Sequence, residues 1–256
     1  MALGQASRSD KLNFRTAKIA MLMLNEKSAG FDQKLEALRL LQLSLGDVGP
    51  KKNLSGTFES YTARADIESH EIGLNPVRSL LAAQFPSGHP KYDRELIRTI
   101  AMLGSLNRRL IGGLLEGITE ESLPADDIHR LAALTRVQAP RTSIQTQETA
   151  HALVNLEYKI RRMKLKQDSN WDDRVGELYA EIAKTDAAVP KAVAENDGIG
   201  LPGHVLLLKH VPPESLPSAI AGFAKQVRAD QDYQWTNDVV FVLGRSSVEE
   251  HQQLVH

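Results

Sequence analysis

The sequence predicts an all-α fold: one solenoid-like region of antiparallel helix pairs over residues 1–256, with a candidate internal break at the loop 46–60. Three observations predict it. Aromatic residues make up 5% of the chain, few for a sandwich or barrel, while the helix formers Leu and Ala abound. Apolar residues recur at helical spacing in short runs closed by Gly, Pro and Asn. Connections between the runs are short, and helix-turn-helix units of about 30–45 residues fall in the range of degenerate helical repeats, without a fixed period. Each unit is too small to bury its own apolar face and must lean on the next.

After a polar lead-in over residues 1–9, helical patterns run over Lys11–Leu24 and Asp32–Leu45. In the second, Leu35, Leu38, Leu41 and Leu45 form a stripe that Gly46, Gly49 and Pro50 stop. The pattern resumes at Tyr61–His70 and at Asn75–Phe85, where Asn75 reads as a cap and Pro76 as a first-turn residue. The clearest stretch is Phe85–Leu103, a Pro/Gly turn opening into an amphipathic helix from Tyr92. There Leu96, Ile100 and Leu103 should be buried, while Arg94 and Arg98 share a face that is exposed or paired with acids. Further helices are predicted over Asn107–Ile118, Ala125–Val137, Thr146–Leu165, Asp172–Lys184 and Pro190–Glu195. Beyond the turn Gly198–Gly203, helices follow at His204–His210, Ser215–Ala229 and Thr236–Leu243. The β-branched run Val239–Leu243 reads as a helix, because no partner run exists to pair with a strand. Ser246-Ser247-Val248-Glu249 matches a capping box for a last helix, which suggests a segment cut from something longer.

Composition excludes several functions. A net charge of −1 argues against a dedicated nucleic-acid binder. The absence of cysteine removes disulfides, thiolate catalysis, zinc-thiolate sites and covalent c-type haem attachment. No run approaches the ~20 apolar residues of a membrane span. The short apolar core Ile19–Leu24, with Arg15 and Lys18 before it, reads as an amphipathic helix rather than a signal peptide.

Candidate chemistry is sparse, and no catalytic, cofactor-binding or metal-ligating residue is assigned. Gly198-Ile199-Gly200-Leu201-Pro202-Gly203 matches G-x-G-x-x-G, but a helical pattern, not a strand, precedes it, so it reads as a turn between helices. Asp126, Asp127 and His129 are close in sequence, and Glu148 and His151 are three apart. Either group offers at most a partial ligand set; capping acids and ordinary polar contacts explain them as well. The basic run Lys159–Lys166 reads as a solvated helix end complementing the dipole. Glu116, Glu120 and Glu121 carry no mark of a catalytic pair. Trp171 and Trp235 each stand at the start of a helical run, where tryptophan staples a loop to the core.

The order of several pieces is more specific than any one of them. KLEALRLLQLSLGD at Lys34–Asp47, GTFESYTAR at Gly56–Arg64 and FPSGHPKYDRELIRTIAML at Phe85–Leu103 come first. DDIHRLAALTRV at Asp126–Val137, NWDDRVGEL at Asn170–Leu178, LPGHVLLL at Leu201–Leu208 and DYQWT at Asp232–Thr236 follow. This order resembles the HEAT-like helical region of large multidomain proteins from planctomycetes and related bacteria. There the region accompanies a sorbosone-dehydrogenase-like propeller and a c-type cytochrome module with a C-x-x-C-H. The resemblance covers most of residues 30–245. It implies an irregular HEAT-like α-solenoid within an exported, periplasmic or extracellular, redox-active polypeptide, and it carries over no catalytic residue.

The expected role is therefore a non-catalytic scaffold and interaction segment without a cofactor, whose partners are neighbouring domains of the same polypeptide or another protein. Two rivals are a wall of a dehydrogenase or cytochrome site in that polypeptide and a free-standing helical ligand-binding domain.

Overall fold

In the computed structural model, residues 13–47, 56–67 and 71–255 are described. Among them the fold is all-helical; the β-type pairing present is a single parallel bridge, Ser105 with Val137. The helices are α1 (Phe14–Asn25), α2 (Phe31–Ser44), α3 (Glu71–Gln84), α4 (Pro90–Leu103), α5 (Arg109–Glu116) and α6 (Pro124–Leu134). They continue with α7 (Ser143–Arg162), α8 (Trp171–Thr185), α9 (Val189–Ala194), α10 (Leu216–Ala229), α11 (Asn237–Gly244) and α12 (Glu249–Gln252). Packing divides the chain into two compact units, Met1–Gly117 with His129–Pro140, and Ile118–Ile128 with Arg141–His256.

In the first unit α1 packs on α2, α2 on α4, and α4 also on α3. Asn13 caps α1 by accepting the Thr16 amide. The amphipathic pattern of α4 is realised: Leu96, Ile97, Ile100 and Leu103 are buried, as are Leu81 of α3 and Leu110, Leu114 and Leu115 of α5. Leu80 is half-buried. Asp93 ties the turn before α4 by accepting the Ser87 amide at 2.8 Å. Phe85 is half-buried, its ring lying against Gly113 of α5 where a β-carbon would sit 3.1 Å away. The Ser105–Val137 bridge straps two loops together, the Gln138 amide donating to the Ser105 carbonyl.

Two expectations in this unit need correction. Asn75 and Pro76 do not open a helix, because α3 already begins at Glu71 and carries Pro76 inside it; Asn75 accepts from Arg78 instead. The stretch predicted as Tyr61–His70 forms a single 3-10 turn, Glu59–Tyr61, followed by irregular chain to residue 67. Its last three residues, like 1–12 and 48–55 of the lead-in and loop, lie outside the described residues.

In the second unit the long α7 packs on α9, and α9 packs on α8 and α10. Thr142 and Gln145 form a reciprocal capping box at the start of α7. Ala150, Leu153, Leu156 and Ile160 are buried as the pattern predicts, with Met163 half-buried. Residues Pro202–His210 form a 3-10 helix, not an α-helix. The Val239–Leu243 run is helical, with Thr236 accepting the Val239 amide as cap. Ser246 does not close the predicted box: its hydroxyl takes the Val248 amide and lies 3.0 Å from His251 Nδ1, and the helix starts only at Glu249.

Candidate functional site

Three polar clusters hold the residues with chemical potential, two in the second unit and one in the first.

The deepest is built on α7. Lys159 and Asp127 side chains are each 1% exposed and meet at 2.5 Å. The ammonium also donates to the Thr119 carbonyl at 2.5 Å and to Ser122 Oγ at 2.9 Å, and Ser122 lies 2.5 Å from Asp127 Oδ1. A serine beside a lysine invites comparison with a Ser–Lys nucleophile pair. A general base needs a free lone pair, however, and all three ammonium protons here are donated. The cluster is a buried, saturated ion pair that anchors residues 119–127 to α7.

Lys159 therefore corrects the expectation of a solvated basic run. The helix turns this one position inward, where an ammonium persists only because a carboxylate and two oxygens receive it. Its neighbours behave as predicted. Arg161 pairs with Glu157 one turn back, Arg162 reaches Glu120, and Lys164 and Lys166 are exposed.

The second cluster surrounds the glycine turn, which follows α9 and precedes the 3-10 helix. His204 is buried, and its Nδ1 accepts the amides of Gly200 at 3.0 Å and Leu201 at 3.1 Å. Its Nε2 then carries the proton and donates to the Val154 carbonyl at 2.9 Å. Burial pushes this imidazole down to about 4, so it is neutral near pH 7. Tyr158 donates to the Gly198 carbonyl and Tyr233 to the Gly200 carbonyl; burial raises both phenols.

The glycines answer to packing. Gly200 has φ +130°, and a β-carbon there would lie 2.6 Å from the Gly222 carbonyl oxygen. One at Gly222 would meet the Ile199 side chain at 2.3 Å, and one at Gly203 would meet Glu157 Oε2 at 2.5 Å. The turn amides of Gly200 and Leu201 that a phosphate would need are taken by His204. The turn is a close-packed joint, as the preceding helical pattern suggests.

The third cluster lies in the first unit. Arg98 donates to Asp47 at 2.5 Å, to Glu95 and Gln42, and to the Ser60 carbonyl. Burial lowers its basicity, but Asp47 and Glu95 outweigh that and hold it above its usual value. Gln42 is almost fully buried and donates to Glu95 and Thr99. Nearby, Tyr61 lies 2.7 Å from His129 Nδ1, and His129 Nε2 lies 2.9 Å from the Arg94 carbonyl. The carbonyl can only accept, so Nε2 holds the proton and the phenol donates to Nδ1. Burial pushes the Tyr61 phenol up to about 12.

Sequence neighbours thus part company. Asp127 serves Lys159, whereas His129 serves Tyr61 and Arg94. His151 meets Glu120 at 3.5 Å on the surface, and Glu148 is exposed. Among the described residues no three His, Asp or Glu side chains converge as metal ligands. Trp171 is half-buried, and Trp235 is 45% exposed, edge-on to Tyr233, so the second tryptophan does not staple its loop to the core. No helix among the described residues is long and apolar enough to cross a membrane.

The pairing of Arg98 with acids was readable, since Glu95 stands three residues away, but Asp47 and the Tyr61–His129 contact carried no signal, their members lying far apart along the chain. His204 directly follows a recognisable motif, which was the available clue, whereas Tyr158 and Tyr233 stand 40 and 33 residues from the turn carbonyls they bond. Comparison with family models, with curated proteins and with solved structures gives no match to this chain.

Proposed function

We propose that the chain is a non-catalytic helical scaffold segment of a larger, exported redox polypeptide, docking neighbouring modules of that polypeptide or another protein. The observation that supports this reading is the fate of the buried polar side chains. Lys159, Asp127, His204, His129 and Gln42 bond to the protein's own backbone and side chains, within one unit in each case. Groups engaged in this way brace loops against helices; a reaction would require a proton or lone pair to be released. Stacked helices joined by braced loops offer extended surfaces suited to protein contact. The HEAT-like resemblance supplies the context of propeller and cytochrome modules.

The reading frame around the coding segment tests the context directly. A propeller encoded upstream and a C-x-x-C-H downstream in the same frame supports it; a native start at Met1 and a stop after His256 overturns it. Titration of the purified chain with NAD and with haem tests the scaffold role. The expected outcome is no saturable binding, and micromolar binding of either overturns it.

A further inference from the structure

The outer face of α11 carries an exposed aromatic between an acid and a base. Val239 and Leu243 point into the core, and Phe241, on the opposite side of this eight-residue helix, is 62% exposed. Val240 is also exposed. Asp238 precedes Phe241 by three residues and Arg245 follows it by four, so the three share one face at i, i+3 and i+7. Asp238 and Arg245 are exposed, and among the described residues neither forms an ion pair. The Arg245 guanidinium lies over the Phe241 ring, 5.1 Å from its centre, which holds the positive charge beside the exposed aromatic. Gly244, one turn from Phe241, is exposed, and the space beside it is open, with nothing within 4 Å of a β-carbon built there.

We propose that two copies of the chain associate through α11 packed antiparallel about a two-fold axis close to Phe241. Phe241 lies near the midpoint between the acid and the base. The two charges stand about 10 Å apart along the helix, at 1.5 Å per residue. An antiparallel partner therefore sets its arginine beside Asp238 and its aspartate beside Arg245, with both rings at the centre. A two-fold contact requires this self-complementarity, residue i meeting j and j meeting i. A parallel arrangement would oppose like charges at both ends. This inference stands apart from the scaffold reading, because it requires only this chain.

The contact is small. Two short helices bury well below the ~1,200 Å² of a standard interface, so the dimer is a weak one.

Sedimentation equilibrium of the full chain from about 10 μM to about 1 mM tests the proposal. The wild-type protein should show a concentration-dependent monomer–dimer equilibrium, and Phe241→Asp should abolish it. Asp238→Arg and Arg245→Asp should each weaken self-association at least about tenfold, because each places like charges opposite one another at both ends. An equimolar mixture of these two single variants should associate again, since the axis then pairs two arginines of one copy with two aspartates of the other. All substituted side chains are exposed, and circular dichroism confirms that each variant is folded before it is compared. A wild-type chain that stays monomeric throughout overturns the proposal. So does a dimer indifferent to Phe241→Asp, or a mixture of single variants that fails to associate.

Discussion

The Lys159–Asp127 and Arg98–Asp47 ion pairs have the same contact distance, 2.5 Å, in different surroundings. The first is sealed, with both side chains 1% exposed; the second keeps 22% and 13% of its side chains in solvent. Burial, not contact length, separates their energetics. Water can reach a partly exposed charge whose partner is removed, whereas a sealed charge has nothing else to turn to. The sealed pair binds the segment 119–127 to α7 through one ammonium, while the partly exposed pair gathers α2, α4 and the 3-10 turn around a guanidinium that water can reach.

That contrast is most directly broken at Lys159. Lys159→Met should destabilise the protein by about 3–5 kcal/mol in urea unfolding, because Asp127 is left charged and unpaired. Lys159→Met combined with Asp127→Leu should recover most of that loss. If the double variant is as unstable as the single, the packing of the lysine stem, not its charge, carries the cluster.

The His204 joint supplies the next largest effect, through pH. The imidazole is held near 4 in the folded chain against 6.5 when free, so the unfolded state binds the proton more readily. Its contribution is fully present above about pH 6.5 and is lost as pH falls toward 4, amounting to about 3 kcal/mol. Unfolding free energies at pH 7 and pH 4 should therefore differ less in His204→Gln than in the native protein.

Arg98→Ala should cost about 1–2 kcal/mol, more than a surface pair and less than the sealed one. Raising the salt to about 1 M should narrow the difference from wild type, since partly exposed charges are screened more than sealed ones. The smallest effect belongs to Glu36→Ala. This residue pairs with Arg39 at 2.5 Å, but the side chains are 64% and 52% exposed, so the loss should stay below about 0.5 kcal/mol. A larger loss here than at Arg98 would show that burial is not the controlling variable.

Much of the helical frame was legible because periodicity is local. The α4 stripe and the inward face of α7 follow from residues within a turn or two of each other, and the helical state of Val239–Leu243 followed from the lack of a partner strand. The failures were local signals that a better neighbour overrode. Asn75-Pro76 looks like a helix start, yet α3 had already begun upstream. Ser246 had the composition of a cap and found the Val248 amide and His251 instead. The polar clusters were illegible for a different reason. Lys159 meets Asp127 across 32 residues, Arg98 meets Asp47 across 51, and Tyr61 meets His129 across 68. A basic run on a helix says nothing of which cation turns inward. The G-x-G-x-x-G turn was readable as a turn, but the reason for Gly200 lies in the Gly222 backbone, which only the fold brings near.

The sealed lysine also makes the molecule its own clock for breathing motions. Acylating reagents attack a lysine only when its amine is free and deprotonated, and Lys159 offers neither while its three donors are engaged. Lys164 and Lys166 stand a few residues further on in open solvent, within reach of the reagent throughout. The ratio of labelling at Lys159 to that at these two neighbours, read on one peptide, reports how often segment 119–127 lifts from α7.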